Sequence, residues 1–228
     1  MDFKKEYNLT VIIPVYNEED RIISTIKGLK KIDLIDKIIV VDDGSTDNTF
    51  KLVNNCNVEC IRISDNKGKG YAIKEGLKKI DSKYYIFLDG DLGFTSQEVK
   101  YLIKPVINDK YDISIGKFNS INKKNGFGFV KKLAKIGMKF YTGSSINSVL
   151  SGQRVYTREA LNLIRYIPDR YGIEVAMTIQ AVEKKLKIKE VNVNMNHRIT
   201  KMNIKDLFHR GKQFKDIFFT LFLMYKRR

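Results

Sequence analysis

Proline is scarce in this 228-residue chain, at three residues, cysteine is scarcer still, at two, and no apolar run approaches the length of a membrane span. So few prolines beside 43% hydrophobic residues exclude a disordered or collagen-like chain and allow a sizeable core. Cys56 and Cys60 are separated by three residues, with no histidine or second cysteine pair nearby. That excludes a disulfide scaffold and a thiolate metal site, and the pair reads as reduced thiols of a cytosolic protein. Met1 to Asn8 carry charges of both signs and no apolar stretch, so no secretion signal is expected. The longest apolar run, Ile217 to Tyr225, has nine residues against about 20 for a spanning helix, so nothing is expected to cross a bilayer.

Acid is missing from one long stretch. Between Ile113 and Arg158 there is no Asp or Glu, while nine Lys and Arg stand there, and nine more follow His197 against only Asp206 and Asp216. The whole chain has 42 Lys and Arg against 26 Asp and Glu, a net charge of +16 concentrated in the second half. Such a field attracts phosphate, whether on a nucleotide, a nucleic acid or a lipid headgroup.

Short β-rich runs at Thr10 to Pro14, Lys37 to Asp42, Val58 to Ser64 and Tyr84 to Asp89 recur at intervals of about 25 residues, the rhythm of βαβ units. Between them, Glu18 to Lys31, Asp47 to Asn54, Gly70 to Ile80 and Ser96 to Ile107 space their apolar residues three and four apart, as crossover helices do. Ser45 or Asp47 is expected to cap the second helix and Ser96 the fourth. A further strand is expected at Tyr111 to Gly116, then a loop at Ser120 to Gly128. Helices follow at Phe129 to Tyr141, Arg158 to Arg165 and Ile173 to Lys185, with strands near Gly152 to Tyr156 and Lys187 to Asn194. The fold class is α/β, a mostly parallel sheet flanked by helices.

Polar residues gather where these strands end. Asp89-Gly90-Asp91 closes an apolar strand, and in an extended chain residues i and i+2 share a face. Two carboxylates held close repel one another unless a cation lies between them, and hard oxygen ligands suit Mg2+ or Mn2+ on a diphosphate. An Asp-Gly turn in solvent would look the same in isolation. Yet Pro14 to Glu18, Asp42 to Ser45 and Asn66 to Gly70 end the other strands, and open α/β sheets bind ligands at that edge. Asp42 or Asp43 could accept from a base or ribose, and Lys67 to Gly70 could cradle a diphosphate with backbone N–H groups and ammonium ions.

Together, Val11 to Glu18, Val40 to Asp47, Asn66 to Gly70 and Leu88 to Asp91 resemble the nucleotide-sugar half of family 2 glycosyltransferases with the GT-A fold, over roughly residues 9 to 115. The resemblance implies a nucleoside-diphosphate sugar as donor, with Pro14, Tyr16, Glu18 and Asp43 around base and ribose and Lys69 and Gly70 near the donor. It also implies Asp91 as principal metal ligand, with Asp89 toward the ribose or the metal. Ser151-Gly152-Gln153-Arg154 resembles the Ser-Gly-aromatic-Arg motif of polyprenyl-phosphate glycosyltransferases, with Gln153 in place of the aromatic. Tyr171-Gly172-Ile173-Glu174-Val175 and Asn196-His197-Arg198 are similar to glucosyl-3-phosphoglycerate synthases. There a Gly-Val-Glu segment contacts sugar or acceptor, and a His before Arg completes the metal site.

The expectation is therefore one GT-A domain, with a nucleotide-sugar half at 9–115, an acceptor-side half at 116–202 and a basic amphipathic helix at 203–228. Asp91, Asp89 and His197 are the expected ligands of Mg2+ or Mn2+. Lys67, Lys69 and Arg154 are expected to offset diphosphate charge, and Glu174 is the carboxylate placed to serve a hydroxyl acceptor as base. The acid-free stretch points instead to a phosphorylated acceptor, polyprenyl phosphate first and a small soluble phosphorylated molecule second; the expected donor is a UDP-sugar. His209, in a basic helix, is expected to have no site role. The C-terminal helix could lie on an anionic membrane from the cytoplasmic side, pack on its own core, or join a homodimer. A nucleic-acid-binding protein is the rival of another class, motivated by charge and 11% aromatics, but no known nucleic-acid motif accompanies it.

Overall fold

All seven residues of strand β1 (Leu9–Val15) are buried, the pattern of a parallel strand covered on both faces. In the computed structural model, which describes residues 7–118, 128–143, 146–197 and 204–226, with backbone alone at 128–131, 204–213 and 225, β1 lies inside a seven-stranded sheet. The other strands are β2 (Lys37–Asp42), β3 (Glu59–Arg62), β4 (Tyr84–Phe87), β5 (Ile113–Phe118), β6 (Arg154–Thr157) and β7 (Ile188–Val193). Their order is β3-β2-β1-β4-β6-β5-β7. Every described pairing is parallel except those of β6, which runs antiparallel to both β4 and β5.

That inversion has a functional consequence. Phe87, the last residue of β4, pairs with Arg154, the first of β6, so the loop entering β6 lies at the edge where the parallel strands end. The carboxyl end of β7 arrives at the same edge through its parallel pairing with β5.

Helices α1 (Ile22–Leu29), α2 (Thr49–Asn54), α3 (Lys69–Lys78) and α4 (Val99–Ile107) make the first crossovers, and α5 (Gly128–Thr142), α6 (Arg158–Leu163), α7 (Ile173–Glu183) and α8 (Ile204–Lys226) follow. In α1 the buried residues Ile22, Ile26 and Leu29 recur at three- and four-residue steps and meet Val11, Ile13 and Leu92 in one core layer. The other face of the sheet carries a second layer built around Ile12, Val41, Phe87, Tyr156 and Met177. A third cluster joins α5, α7 and α8 through Met138, Ile179 and Leu221.

Two local expectations are corrected. The fourth helix is split, a 3₁₀ turn at Gly93–Glu98 preceding α4, and Ser96 does not cap it. Its hydroxyl donates instead to the Thr25 carbonyl at 2.9 Å, tying the turn to α1. At α2 the N-cap position is Asn48, without a side-chain cap bond; Asp47, just before it, accepts from the Thr49 N–H, whereas Ser45 accepts from the Asn17 N–H. The loop expected at Ser120 to Gly128 falls, apart from Gly128, outside the described residues.

Candidate active site

Strand β4 stops at Phe87, so Asp89 and Asp91 are not brought together by a β pleat. They converge because the chain turns at Gly90, whose carbonyl accepts from Thr25 Oγ1 at 2.7 Å. A Cβ on Gly90 would stand 2.6 Å from Val15 Cγ1, so only glycine lets the turn pass this close to β1. Arg21 Nη1 donates to the Asp91 carbonyl at 3.1 Å and to the Asn196 carbonyl at 3.3 Å, fastening the turn to the segment after β7.

That segment delivers His197. Its Nδ1 lies 2.9 Å from Asp91 Oδ1 and 3.9 Å from Asp89 Oδ2, and its ring packs against Phe118 with centroids 5.0 Å apart. One ligand atom from each of Asp89, Asp91 and His197 can be chosen so that all three lie within 4.8 Å of one another. Two carboxylate oxygens and an imidazole nitrogen at that spacing fit Mn2+ or Mg2+.

Lys69, in the first turn of α3, reaches across the crevice to two acids. Its Nζ lies 2.6 Å from Asp89 Oδ1 and 2.8 Å from Glu174 Oε1, Glu174 standing in the first turn of α7. Burial opposes a charge on Lys69, but the two carboxylates more than offset it and hold the ammonium above its ordinary range. Burial likewise pushes the Asp89 carboxyl up, and Lys69 followed by His197 pulls it below the ordinary value. For His197 burial favours the neutral ring, while the Asp91 hydrogen bond and then the charges of Asp89 and Asp91 raise its pKa. Gly152 lies over this pair. A Cβ there would collide with Lys69 Nζ and stand 3.0 Å from both oxygens of Asp89.

Gln153 closes the ring. Its Nε2 donates to Asp89 Oδ2 at 2.8 Å and lies 3.2 Å from His197 Nε2. The residue is fully buried, and its Oε1 has no hydrogen-bond partner among the described residues. Gln153 thus spans two of the three metal-fitting groups. The sequence marked it only as a departure from an aromatic.

Other expected residues are placed differently. The diphosphate cradle at Lys67–Gly70 is filled from within the protein. The Lys67 and Gly68 N–H groups donate to the two Asp43 oxygens at 2.9 and 2.7 Å, and the Gly70 and Tyr71 N–H groups to the Asp169 carbonyl at 2.8 and 3.0 Å. Burial first, and then the charge of Asp42, hold the Asp43 carboxyl above its ordinary value against the pull of these two backbone donors and of Arg170. Asp42 is fully buried and accepts from the Ser45 N–H, so its visible work is to hold the turn after β2. Arg154 does not face the crevice. It is 2% exposed and donates to the Ser151 and Val149 carbonyls, each at 2.7 Å, and to Thr178 Oγ1 at 2.8 Å. It fixes the loop that presents Gly152 and Gln153. Pro14 is buried in β1, Tyr16 is exposed just beyond it, and the N–H of half-buried Glu18 donates to Thr49 Oγ1 at 2.8 Å. Lys67 is exposed, with Nζ over the Tyr71 ring. Arg198 and the side chain of His209 lie outside the described residues.

Arg21, Thr25 and Asp169 went unnoticed in the sequence, because they act through backbone carbonyls and carry no motif. Gln153 alone among the missed residues had a sequence signal.

Residues 10–165 match the family described as Glycosyl transferase family 2, more than half of the chain. The protein belongs to that family. As a family 2 glycosyltransferase it is 33% identical to an uncharacterised protein of Methanocaldococcus jannaschii, over 80% of this chain and 79% of that one. It is 30% identical to the UDP-N-acetylglucosamine--dolichyl-phosphate N-acetylglucosaminyltransferase of Methanococcus voltae, over 80% and 83%. Glucosyl-3-phosphoglycerate synthase of Mycobacterium tuberculosis, solved with Mn2+, UDP and phosphoglyceric acid, superposes with a TM-score of 0.80 at 23% identity, covering 96% of this chain and 78% of that one. The last likeness confirms the GT-A fold of this glycosyltransferase. The enzyme reading therefore stands over the nucleic-acid rival.

Proposed function

We propose that the protein transfers a sugar from a UDP-sugar to a phosphorylated acceptor, with polyprenyl phosphate as that acceptor. The observation that carries the reading is the engagement of Glu174, the carboxylate expected to act as base, by the Lys69 ammonium at 2.8 Å. One oxygen of Glu174 is thereby taken up by the ammonium, and a phosphate acceptor, already ionised at neutral pH, needs no base.

Asp89, Asp91 and His197 would hold Mn2+ or Mg2+, which when bound offsets charge on the nucleotide diphosphate. Lys69 keeps a positive charge beside Asp89 and positions Glu174. Exposed Lys67 offers a second cation for the departing diphosphate. Tyr16 stands exposed at the end of β1, where a base can stack, and Asp43 holds the turn beside it. The relative that acts on dolichyl phosphate supports a lipid-linked acceptor. The likeness of Tyr171 to Val175 to glucosyl-3-phosphoglycerate synthases supports a second reading, transfer to a small soluble phosphorylated acceptor.

Calorimetric titration with UDP and with GDP, each with and without Mn2+, tests the donor side. Metal-dependent binding of UDP, abolished by Asp91→Ala in a folded protein, is expected. Transfer of labelled glucose or N-acetylglucosamine is then compared between polyprenyl phosphate and 3-phosphoglycerate. Turnover only on the latter would replace the acceptor assigned here.

A further inference from the structure

Among the described residues, ten large hydrophobic side chains stand exposed, and six of them lie on two neighbouring helices. Ile136 and Phe140 are on α5; Phe214, Phe218, Phe219 and Phe222 are on α8, with Phe140 70% and Phe218 59% exposed. The inward stripe of α8, Ile217, Leu221 and Met224, already packs in the cluster with α5 and α7. Phe214, Phe218 and Phe222, four apart, form a second apolar stripe that the core does not use. An outward stripe of aromatics is rare on a monomer's surface and marks a contact.

Charge decides the occupant. The sequences of α5 and α8 together carry nine Lys and Arg and two Asp, and the exposed lysines include Lys132, Lys135, Lys139, Lys215 and Lys226. Two-fold pairing with a second copy would set this basic face against itself. An anionic headgroup layer complements both the lysines and, through its acyl boundary, the aromatics. No described helix is long and apolar enough to cross a membrane, so the contact is lateral.

We propose that the outward face of α5 and α8 docks on the surface of an anionic lipid bilayer. The same helix seats on the acceptor end of the crevice. Thr220 Oγ1 donates to the Tyr171 carbonyl at 3.5 Å, and a Cβ on Gly172 would lie 3.0 Å from Thr220 Cβ, two residues before Glu174. Docking through α8 therefore brings the headgroups beside the site, where a lipid-linked phosphate is presented. That last step rests on the acceptor reading above, whereas the docking does not.

The test is sedimentation of the full chain with phosphatidylglycerol-containing vesicles and with pure phosphatidylcholine vesicles, at low and high salt. Binding to the former alone, weakened by salt and by Lys215→Glu, is expected. The exposed pair Phe218→Ser and Phe222→Ser should lower partitioning by at least about tenfold. No sedimentation, or equal sedimentation with both vesicles, overturns the proposal. So does light scattering that shows a dimer dissociated by the two serines. UDP binding with Mn2+ in the same double variant reads the donor site separately, so failure of docking and failure of the transferase reading are told apart.

Discussion

Lys69 Nζ stands 2.6 Å from Asp89 Oδ1, and this ion pair joins the start of α3 to the metal-fitting cluster. Lys69 shares itself with Glu174, so one ammonium holds two carboxylates that would otherwise repel each other. Lys69→Met is expected to cut turnover by about a hundredfold while Mn2+ binding persists, since removing a cation beside Asp89 does not weaken metal capture. Steady-state kinetics and Mn2+ titration by paramagnetic resonance check this together. Unchanged turnover would show the pair to be structural only.

Gln153 tethers Asp89 and His197 through one amide nitrogen. Gln153→Leu keeps the bulk but removes the donor, and Mn2+ affinity is expected to fall about ten- to a hundredfold, as when an outer partner of metal ligands is lost. The readout is Mn2+ binding to the folded variant without nucleotide, so it does not depend on catalysis. Wild-type affinity in Gln153→Leu would dismiss the tether.

Arg154 and Asp91 should fail in opposite ways. Arg154→Met strands the Val149 and Ser151 carbonyls and Thr178, at a cost of about 3 kcal/mol, or roughly 10 °C in Tm for a chain of this size. Asp91→Asn is expected to lose metal-dependent UDP binding with Tm nearly unchanged. Thermal denaturation of both variants separates a positioning residue from a ligand. If Arg154→Met melted like wild type but bound UDP poorly, the arginine would be a ligand after all.

Cys60 is protected by its surroundings. Burial, and then the charge of Asp42, push its thiol from an ordinary value of 9.0 up to about 11, against a smaller pull from Arg62. Since the thiolate is the reactive form, alkylation of the folded protein near pH 8 should be slow at Cys60 and fast after unfolding. Because the folded pKa lies above the unfolded one, the stabilisation is whole below about pH 9 and is lost as pH rises through about 11. Peptide mapping after timed alkylation, with denaturant melts across that window, measures both. Rapid modification of native Cys60 would contradict the partial burial of its thiol in β3.

The apolar runs of β1, β2 and β4, and the three- and four-residue spacing in α1 and α3, were legible because burial on one or both faces leaves a periodic mark on the chain. So was the polar edge, since Asp89, Asp91, Lys69 and Asp43 each follow a strand. The split of the fourth helix was not legible, because Ser96 is a good capping residue whose hydroxyl is claimed by Thr25, far away in sequence.

By itself the sequence determined the α/β order, the carboxylate pair and the excess of positive charge, all of which are local in the chain. Only the tertiary structure decided which groups meet. β6 inserts antiparallel between β4 and β5, and that reversal carries Gly152 and Gln153 to the edge where Asp89 lies. Arg154, the first residue of β6, turns inward, whereas Lys69 reaches Asp89 across the crevice from the first turn of α3. Strand order and side-chain direction depend on pairings between distant residues, and no local pattern encodes those.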